Sequence, residues 1–585
     1  MATLTPTPVM QFFDANGNPL VGGKLYTYAS GTSTPLATYT DAGAGTPNAN
    51  PIILNSRGEA SIWLGASVYK FILNTPADTL IWSADGIAAL ATTGSVAAVA
   101  ANLQAFITLM SSSAGAANVG YTPGGIGAVA TTVQTKLRES VSVKDFGAVG
   151  DGTHDDTAAL SAALTALQGT GGCLYFPTGE YKITTSLTYT AGSAIQSIKL
   201  MGDGSDSTII NWPNANGGLV FNLSSQTNSV HFNDITFTTA QANSGTAITV
   251  NQADPLLSFA MNTFYDCTFR GYSSPYGDDF WATCVLVSNL SGTTWDGITM
   301  YGGGGTANCG NGIVFRGTGT LITDPDYSIY HNISKSTFNS LSFGITYGTF
   351  AQGITVSQSN FQNGAVGIYI PAGGIGLSQM NVIDNQFATT FEAITMLSAM
   401  GTYTIRGNDV FVATATPQGS GFDLLEGGVY GTIIGNQIQG PGAATGAVGI
   451  ALGNCQKCIV NSNTISLFNV GVDLLATSYG CLVQGNNYNV NNNNITNAGS
   501  SNYIYQDESI PAANVTPGAS PWSYTAGASP ETHYIRGGTV SLISVNGTYV
   551  ATATDSSVPL TINLRPYDSY IVTYSVVPTV IKAIF

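Results

Sequence analysis

The chain has 585 residues, only 8% of them charged, with 70 glycines and a formal net charge of −16. That length calls for several domains or one repetitive architecture, and the sparse charge and ample aromatics exclude a solvated disordered chain. The acidic balance excludes wrapping of nucleic acid, whose binders carry a basic stripe. The low charge density suits a surface that meets neutral sugars through aromatics and amides.

Residues 1–88 read as short strands between turns, with alternation in Lys24-Leu25-Tyr26-Thr27-Tyr28 and a hairpin signal at Asn16-Gly17. The opening "MATLTPTPVM" has neither a basic nor an apolar region, so no secretory signal is expected. No run of about 18 apolar residues predicts a membrane span. Seven scattered cysteines make no disulfide framework, and Cys455-x-x-Cys458 has no second pair to complete a zinc site. Synthesis in a reducing cytoplasm, without metal or cofactor, is the expectation. Gly22-Gly23-Lys24, Tyr39-Thr40-Asp41, Asn50-Pro51, Gly58, Tyr69-Lys70, Ile81-Trp82 and Asp85 follow one another in an order that resembles the virion-proximal adaptor domains of bacteriophage tail fibres and tailspikes. The resemblance implies that residues 1–88 dock onto phage tail proteins and place the chain in the virion.

Residues 89–140 change character. "SVAAVAANLQAFITLM" and "GAVATTVQTKLRES" have helical propensity, separated by a Gly/Ser/Pro-rich stretch. Two short apolar helices need partners, and three copies of the chain around one axis supply them. "TPGGIGAVATTVQTKLRESVSVKDFGAVGDG" also resembles the linker into the body of many tailspikes.

At the start of residues 141–505, "VSVKDFGAVGDGTHDDTAAL" gathers Asp151, His154, Asp155 and Asp156. The cluster looks catalytic but reads better as a helix start. Asp155 or Asp156 is a good N-cap, and Leu160, Ala163, Leu164 and Leu167 form one apolar face behind it. The "GDG" is no phosphate loop, because no Gly-Lys-Ser/Thr follows. The stretch from Asp145 to Ile183 resembles the opening segment of the pectate-lyase-like superfamily, which includes phage tailspikes. That resemblance implies a helix plugging the first turn of a β-helix.

The remainder of this region repeats. Phe338, Phe361, Phe387, Val410, Ile438, Ile465 and Tyr488 recur at spacings of 23, 26, 23, 28, 27 and 23 residues. Two residues before each stands Ser336, Ser359, Asn385, Asn408, Asn436, Asn463 or Asn486. An apolar column beside an amide column predicts a right-handed parallel β-helix, mainly β in class. Phe237, Phe269 and Trp295 are expected to extend the apolar column upstream. Cys458 and Cys481 share a column as well, which favours a structural role for the cysteine pair. Residues 506–585 are strand-like again and lack the amide ladder. They resemble the small β module that closes many tailspikes, and a β-helix needs its open edge covered.

The tailspike resemblance implies attachment to host surface polysaccharide and, in many cases, its cleavage. Glycoside hydrolysis needs two carboxylates, so carboxylates that break the repeat are the candidates. Glu392 is the single charge in the row Phe343, Val366, Glu392, Val470, with Phe422 and Val448 resuming the two expanded rungs. Asp423 is read as the lone carboxylate in a small-residue row, Gly344, Gly367, Ala393, Gly449 and Gly471, that should lie outward. Glu426, before Gly427-Gly428, is its expected partner. Strict alternation would put Glu392 and Asp423 on opposite sides of the wall, so their pairing requires a turn or bulge. A second candidate set is Asp278, Asp279 and Asp296, with Tyr272, Tyr276, Trp281 and Tyr301 as flat faces for sugar rings. A polysaccharide lyase would need cationic or metal help, and Arg316, His331, Lys335 and Arg406 are scattered. A non-catalytic adhesin of the same fold is the rival reading.

Overall fold

The computed structural model describes residues 3–88, 93–192, 195–214, 217–253, 260–273, 277–304, 309–319, 327–413, 419–443, 446–505, 510–551 and 559–584. It divides into two compact units, Met1–Leu137 and Arg138–Phe585.

In the first unit, Lys24–Ala29 pairs antiparallel with Tyr69–Asn74, which pairs in turn with Leu80–Ile87. The alternation is obeyed: Leu25 and Thr27 are buried while Lys24, Tyr26 and Tyr28 face outward. Leu25, Ile62, Leu64, Tyr69, Phe71 and Leu73 close a small core. The first helical segment forms as Thr93–Ser111. The second shrinks to Val133–Leu137, because β-branched Thr131 and Thr132 pair with Gly120–Tyr121 instead of continuing the helix. No helix among the described residues is long and apolar enough to cross a membrane.

The second unit is a right-handed parallel β-helix. Three parallel sheets of 14, 13 and 12 strands run its length, and each rung visits them in that order, as in Ala351–Ser357, Asn360–Gln362 and Val366–Ile370. The apolar column is the ladder of the second sheet. Phe338, Phe361, Phe387, Val410, Ile438, Ile465 and Tyr488 are successive Cα partners. The first three rings stack at 4.7 and 4.6 Å, each pair within 7° of parallel. Upstream the column continues through Met300 to Phe269 and Phe237. Trp295 is therefore misplaced in the sequence reading. It pairs with Phe264 and Ile333 in the first sheet, a separate core column that a rung-sized spacing alone does not distinguish.

The amide column forms a hydrogen-bonded ladder at the turn from first to second sheet. The Nδ2 of Asn385, Asn408, Asn436 and Asn463 each donates to the Oδ1 of the next asparagine at 2.9–3.0 Å. Each also donates to a backbone carbonyl of the previous rung, from Val356 through Ile433. The residue before each asparagine is left-handed, as at Asp384, Gly407, Gly435, Ser462 and Gly485. Aspartate and glycine tolerate that conformation better than most residues, which explains the recurring Asp-Asn and Gly-Asn pairs.

The acidic cluster at the start is structural. Asp155 accepts from the backbone N–H and hydroxyl of Thr157 at the head of the helix Thr157–Leu167. Asp156 instead ties down the backbone N–H groups of Val149 and Gly150 at 2.7 and 3.0 Å, with His154 Nδ1 at 3.0 Å. Leu160, Ala163, Leu164 and Leu167 join the β-helix core. Beyond the last rung, the described residues form two antiparallel four-stranded sheets.

Candidate functional site

The third sheet carries the candidate residues Glu392 and Asp423, and its strand starts decide which side chains face out. In Phe343–Tyr347 the burial runs half-buried, buried, buried, half-buried, buried. Two consecutive residues, Gly344 and Ile345, therefore face inward before alternation resumes. Glycine is needed because a Cβ on Gly344 would lie 2.7 Å from both the Gly367 carbonyl and the Phe361 ring. A Cβ on Gly367 would lie 2.6 Å from the Ala393 carbonyl and the Phe387 ring. The small-residue row thus faces the core, not the solvent, contrary to the sequence expectation.

This inward double step supplies the irregularity that the carboxylate pairing required. Glu392 and Thr395, three residues apart, come to the same outer side, and the Thr395 hydroxyl donates to Glu392 Oε2. The register also moves Asp423. Ser420, not Phe422, is the ladder partner of Glu392 and of Val448. Gly421 fills the small row, and Asp423 pairs with Thr395. Asp423 lies between Phe422 and Leu424, both buried inward, so it points out. Glu392 and Asp423 stand on adjacent rungs of one outward face, and rungs are about 4.8 Å apart.

Electrostatics separates this pair from the acidic cluster at the start of the β-helix. Burial, reinforced by the charge of Asp423 and only partly offset by the Thr395 hydroxyl, raises the Glu392 pKa to about 7. Burial raises that of Asp423 to about 6. By contrast, backbone N–H donors from His154 and Thr153 lower Asp151 to about 2, which suits a fixed acceptor rather than a proton carrier.

Glu426, the expected partner of Asp423, is not on the strand Ser420–Leu424 that carries it. It lies beyond the strand end, where its backbone N–H bonds to the Met396 carbonyl and its Oε2 accepts from Asn454 Nδ2 at 2.6 Å.

The second set disperses. Trp281 is 1% exposed, packed edge-on against Trp212, with its indole N–H donating to the Phe237 carbonyl; it is a core side chain and offers no face to a sugar. Asp279 accepts from the N–H groups of Tyr272 and Ser273 and from the Ser273 hydroxyl, bracing a loop. Asp296 ends a first-sheet strand in an ion pair with Lys335 at 3.1 Å. Asp278 is exposed, Tyr301 lies on the second sheet, and the exposed Tyr272 has its hydroxyl pKa raised, chiefly by Glu180. Tyr276 lies outside the described residues.

What the sequence reading missed is a pair of rings. Phe343 and Tyr369 stack face to face at 4.2 Å and 13° on the same outer wall as Glu392. Phe343 shares the row of Val366 and Glu392, and Tyr369 the row of Thr346, Thr395 and Asp423. The signal was present as an aromatic three residues after Val366, but it needs the correct register to be seen.

These features define the class: a parallel β-helix with a carboxylate-bearing outer wall. Residues 140–369 match the family described as rhamnogalacturonase A/epimerase, pectate lyase-like. Residues 296–520 match the family described as periplasmic copper-binding protein (NosD). Among the described residues no group of three or more His, Cys, Asp or Glu is disposed to hold a metal. Cys455, Cys458 and Cys481 are buried, the first two beside the Tyr403 hydroxyl and Cys481 against the Cys455 carbonyl, and they form no such group.

Among curated proteins the chain is 40% identical to mannuronan C5-epimerase AlgE3 of Azotobacter vinelandii over 72 residues, 12% of this chain and 4% of that protein. It is also 40% identical over 72 residues to alginate lyase 7 of the same organism, covering 12% and 8% of the two chains. Among solved structures, the tailspike protein of E. coli bacteriophage HK620 in complex with a pentasaccharide has a TM-score of 0.46 at 12% identity, over 82% of this chain and 99% of that one. A hexasaccharide complex of a mutant of that tailspike has a TM-score of 0.40 at 13% identity, over the same shares.

Proposed function

We propose that this chain is a phage tailspike that attaches the virion to its host through surface polysaccharide and cleaves that polysaccharide by glycoside hydrolysis. The observation that carries the catalytic part is the pair Glu392 and Asp423, outward on adjacent rungs with pKa values near 7 and 6. Attachment rests on the tailspike-like sequence of residues 1–88 and of the linker, together with the β-helix body. In this reading residues 1–88 hold the phage tail, the β-helix holds the glycan, and the chain works as a homotrimer.

The roles follow from the proton balance. At neutral pH Glu392 keeps a proton for much of the time and serves as general acid to the leaving glycosidic oxygen. Asp423, ionised over a larger part of that range, stabilises or attacks the developing oxocarbenium centre, or activates water. Thr395, donating to Glu392, holds the acid in place. An acid near 7 and a base near 6 give a bell-shaped rate profile centred between them. Asp423→Asn should leave folding and glycan binding intact and lower reducing-end release from host envelope polysaccharide by several orders of magnitude. Unchanged release in that variant would move the chemistry elsewhere. If the wild type binds but releases nothing, the protein is an adhesin.

A further inference from the structure

Resting on the hydrolytic reading of the outer wall, we propose that Phe343 and Tyr369 form a sugar-binding platform immediately N-terminal, along the β-helix axis, to the carboxylate pair. The rings are parallel and 4.2 Å apart, and both are half-buried on the outer side of the third sheet. They come from successive rungs, and the next rung carries Glu392 and Thr395. Stacking face to face spends one face of each ring on the other, so each ring, fixed at little entropic cost, keeps one outer face that the C–H face of a pyranose matches.

The outward rows on the other side of the carboxylates are chemically different. After Asp423 the row continues with Ala451, Asp473 and Thr496. The Thr496 hydroxyl donates to Asp473 Oδ1 at 2.6 Å. The small Ala451 leaves room beside the reacting pair, and the Asp473–Thr496 pair offers hydroxyl-binding groups beyond it. The wall therefore has a polarity: stacking toward the N-terminal rungs, carboxylates in the middle, hydrogen bonding toward the C-terminal rungs. A glycan lying along the axis places an apolar sugar face on the rings and its scissile bond over Glu392 and Asp423. The ligand class is a polysaccharide with at least one pyranose whose C–H face is free of charge.

The test uses the full-length chain on an array of purified bacterial capsular and O-antigen polysaccharides. The wild type identifies the bound glycan, and variants are then titrated with oligosaccharides of it. Tyr369→Ala and Phe343→Ala should each weaken binding about tenfold, roughly one stacking contact. They should raise KM more than they lower kcat, while Tyr369→Phe retains wild-type affinity. Thermal unfolding should stay near that of the wild type in all three. Wild-type affinity in both alanine variants overturns the platform; if Asp423→Asn still abolishes reducing-end release, hydrolysis at the wall stands without it. If the alanine variants lose binding while the Asp423→Asn variant cleaves normally, the platform holds and the catalytic assignment falls. Absence of any bound glycan for the wild type overturns both.

Discussion

At the scale of single residues, the carboxylate pair costs the folded chain stability at neutral pH, a cost that the proposed hydrolysis would put to use. Glu392 titrates near 7 in the folded chain against 4.5 for the free side chain, and Asp423 near 6 against 3.8. A raised carboxylate pKa means that the folded state binds the proton more tightly than the unfolded state. The pair is therefore best tolerated below pH 4, and its cost grows as pH rises through about 4 to 7. Glu392→Gln removes the ionisation and keeps the shape, so at pH 7.5 the variant should unfold at higher temperature than the wild type, by up to about 1–3 kcal/mol of stability. The gain should shrink toward pH 4, while cleavage is lost throughout. Calorimetry across pH 4–8 checks this, and a variant less stable than the wild type at pH 7.5 contradicts the buried-acid description.

At the scale of elements, the β-helix was legible because its two strongest signals are local and periodic. An asparagine after a left-handed Asp, Gly or Ser, followed two residues later by an apolar residue, marks the turn into the second sheet without any long-range information. The expectation for Asn436 can be stated quantitatively. Its Oδ1 accepts from the N–H and the Nδ2 of Asn408, and its Nδ2 donates to the Ile405 carbonyl and Asn463 Oδ1. Asn436→Ala orphans these buried groups and should cost about 2–4 kcal/mol, read as a lowered unfolding temperature beyond that of a Gln437→Ala control on the exposed neighbour. The third sheet was not legible in the same way. Between the second-sheet column and the third sheet the chain differs in length from rung to rung, so counting residues from the column put Phe422 where Ser420 stands and Asp423 where Gly421 stands. Two residues of slip kept Asp423 on the candidate list for a reason that the fold reverses. It is a site candidate because it faces outward beside Thr395, not because it interrupts a glycine row. Trp281 failed for a related cause: an indole beside acidic residues reads as a sugar platform, yet this one packs against Trp212 inside the coil.

At the scale of the whole molecule, the exposed apolar surface of the linker helix argues for self-association. Val99, Leu103 and Phe106 are 67%, 57% and 58% exposed in the single chain. With Met110 they recur at spacings of four, three and four, the seam of a left-handed coiled coil. A 19-residue helix with no charged residue has no electrostatic means of standing alone in water. Residues 1–88 carry their own core and leave that seam uncovered for identical helices from other copies. Closed rotational symmetry lets every copy bury the same face, and the proposed homotrimer does so with three. The native mass in solution is expected to be three times 60.3 kDa. Placing charge in the seam, as in Leu103→Asp with Phe106→Asp, should break or weaken the association. The test reads mass and reducing-end release together. A wild type running as a single chain overturns the trimer, and a charged-seam variant that still runs as three chains shows that the contacts lie outside the helix. Release retained in a dissociated variant would place the whole catalytic wall within one chain, as Glu392, Asp423, Phe343 and Tyr369 all are.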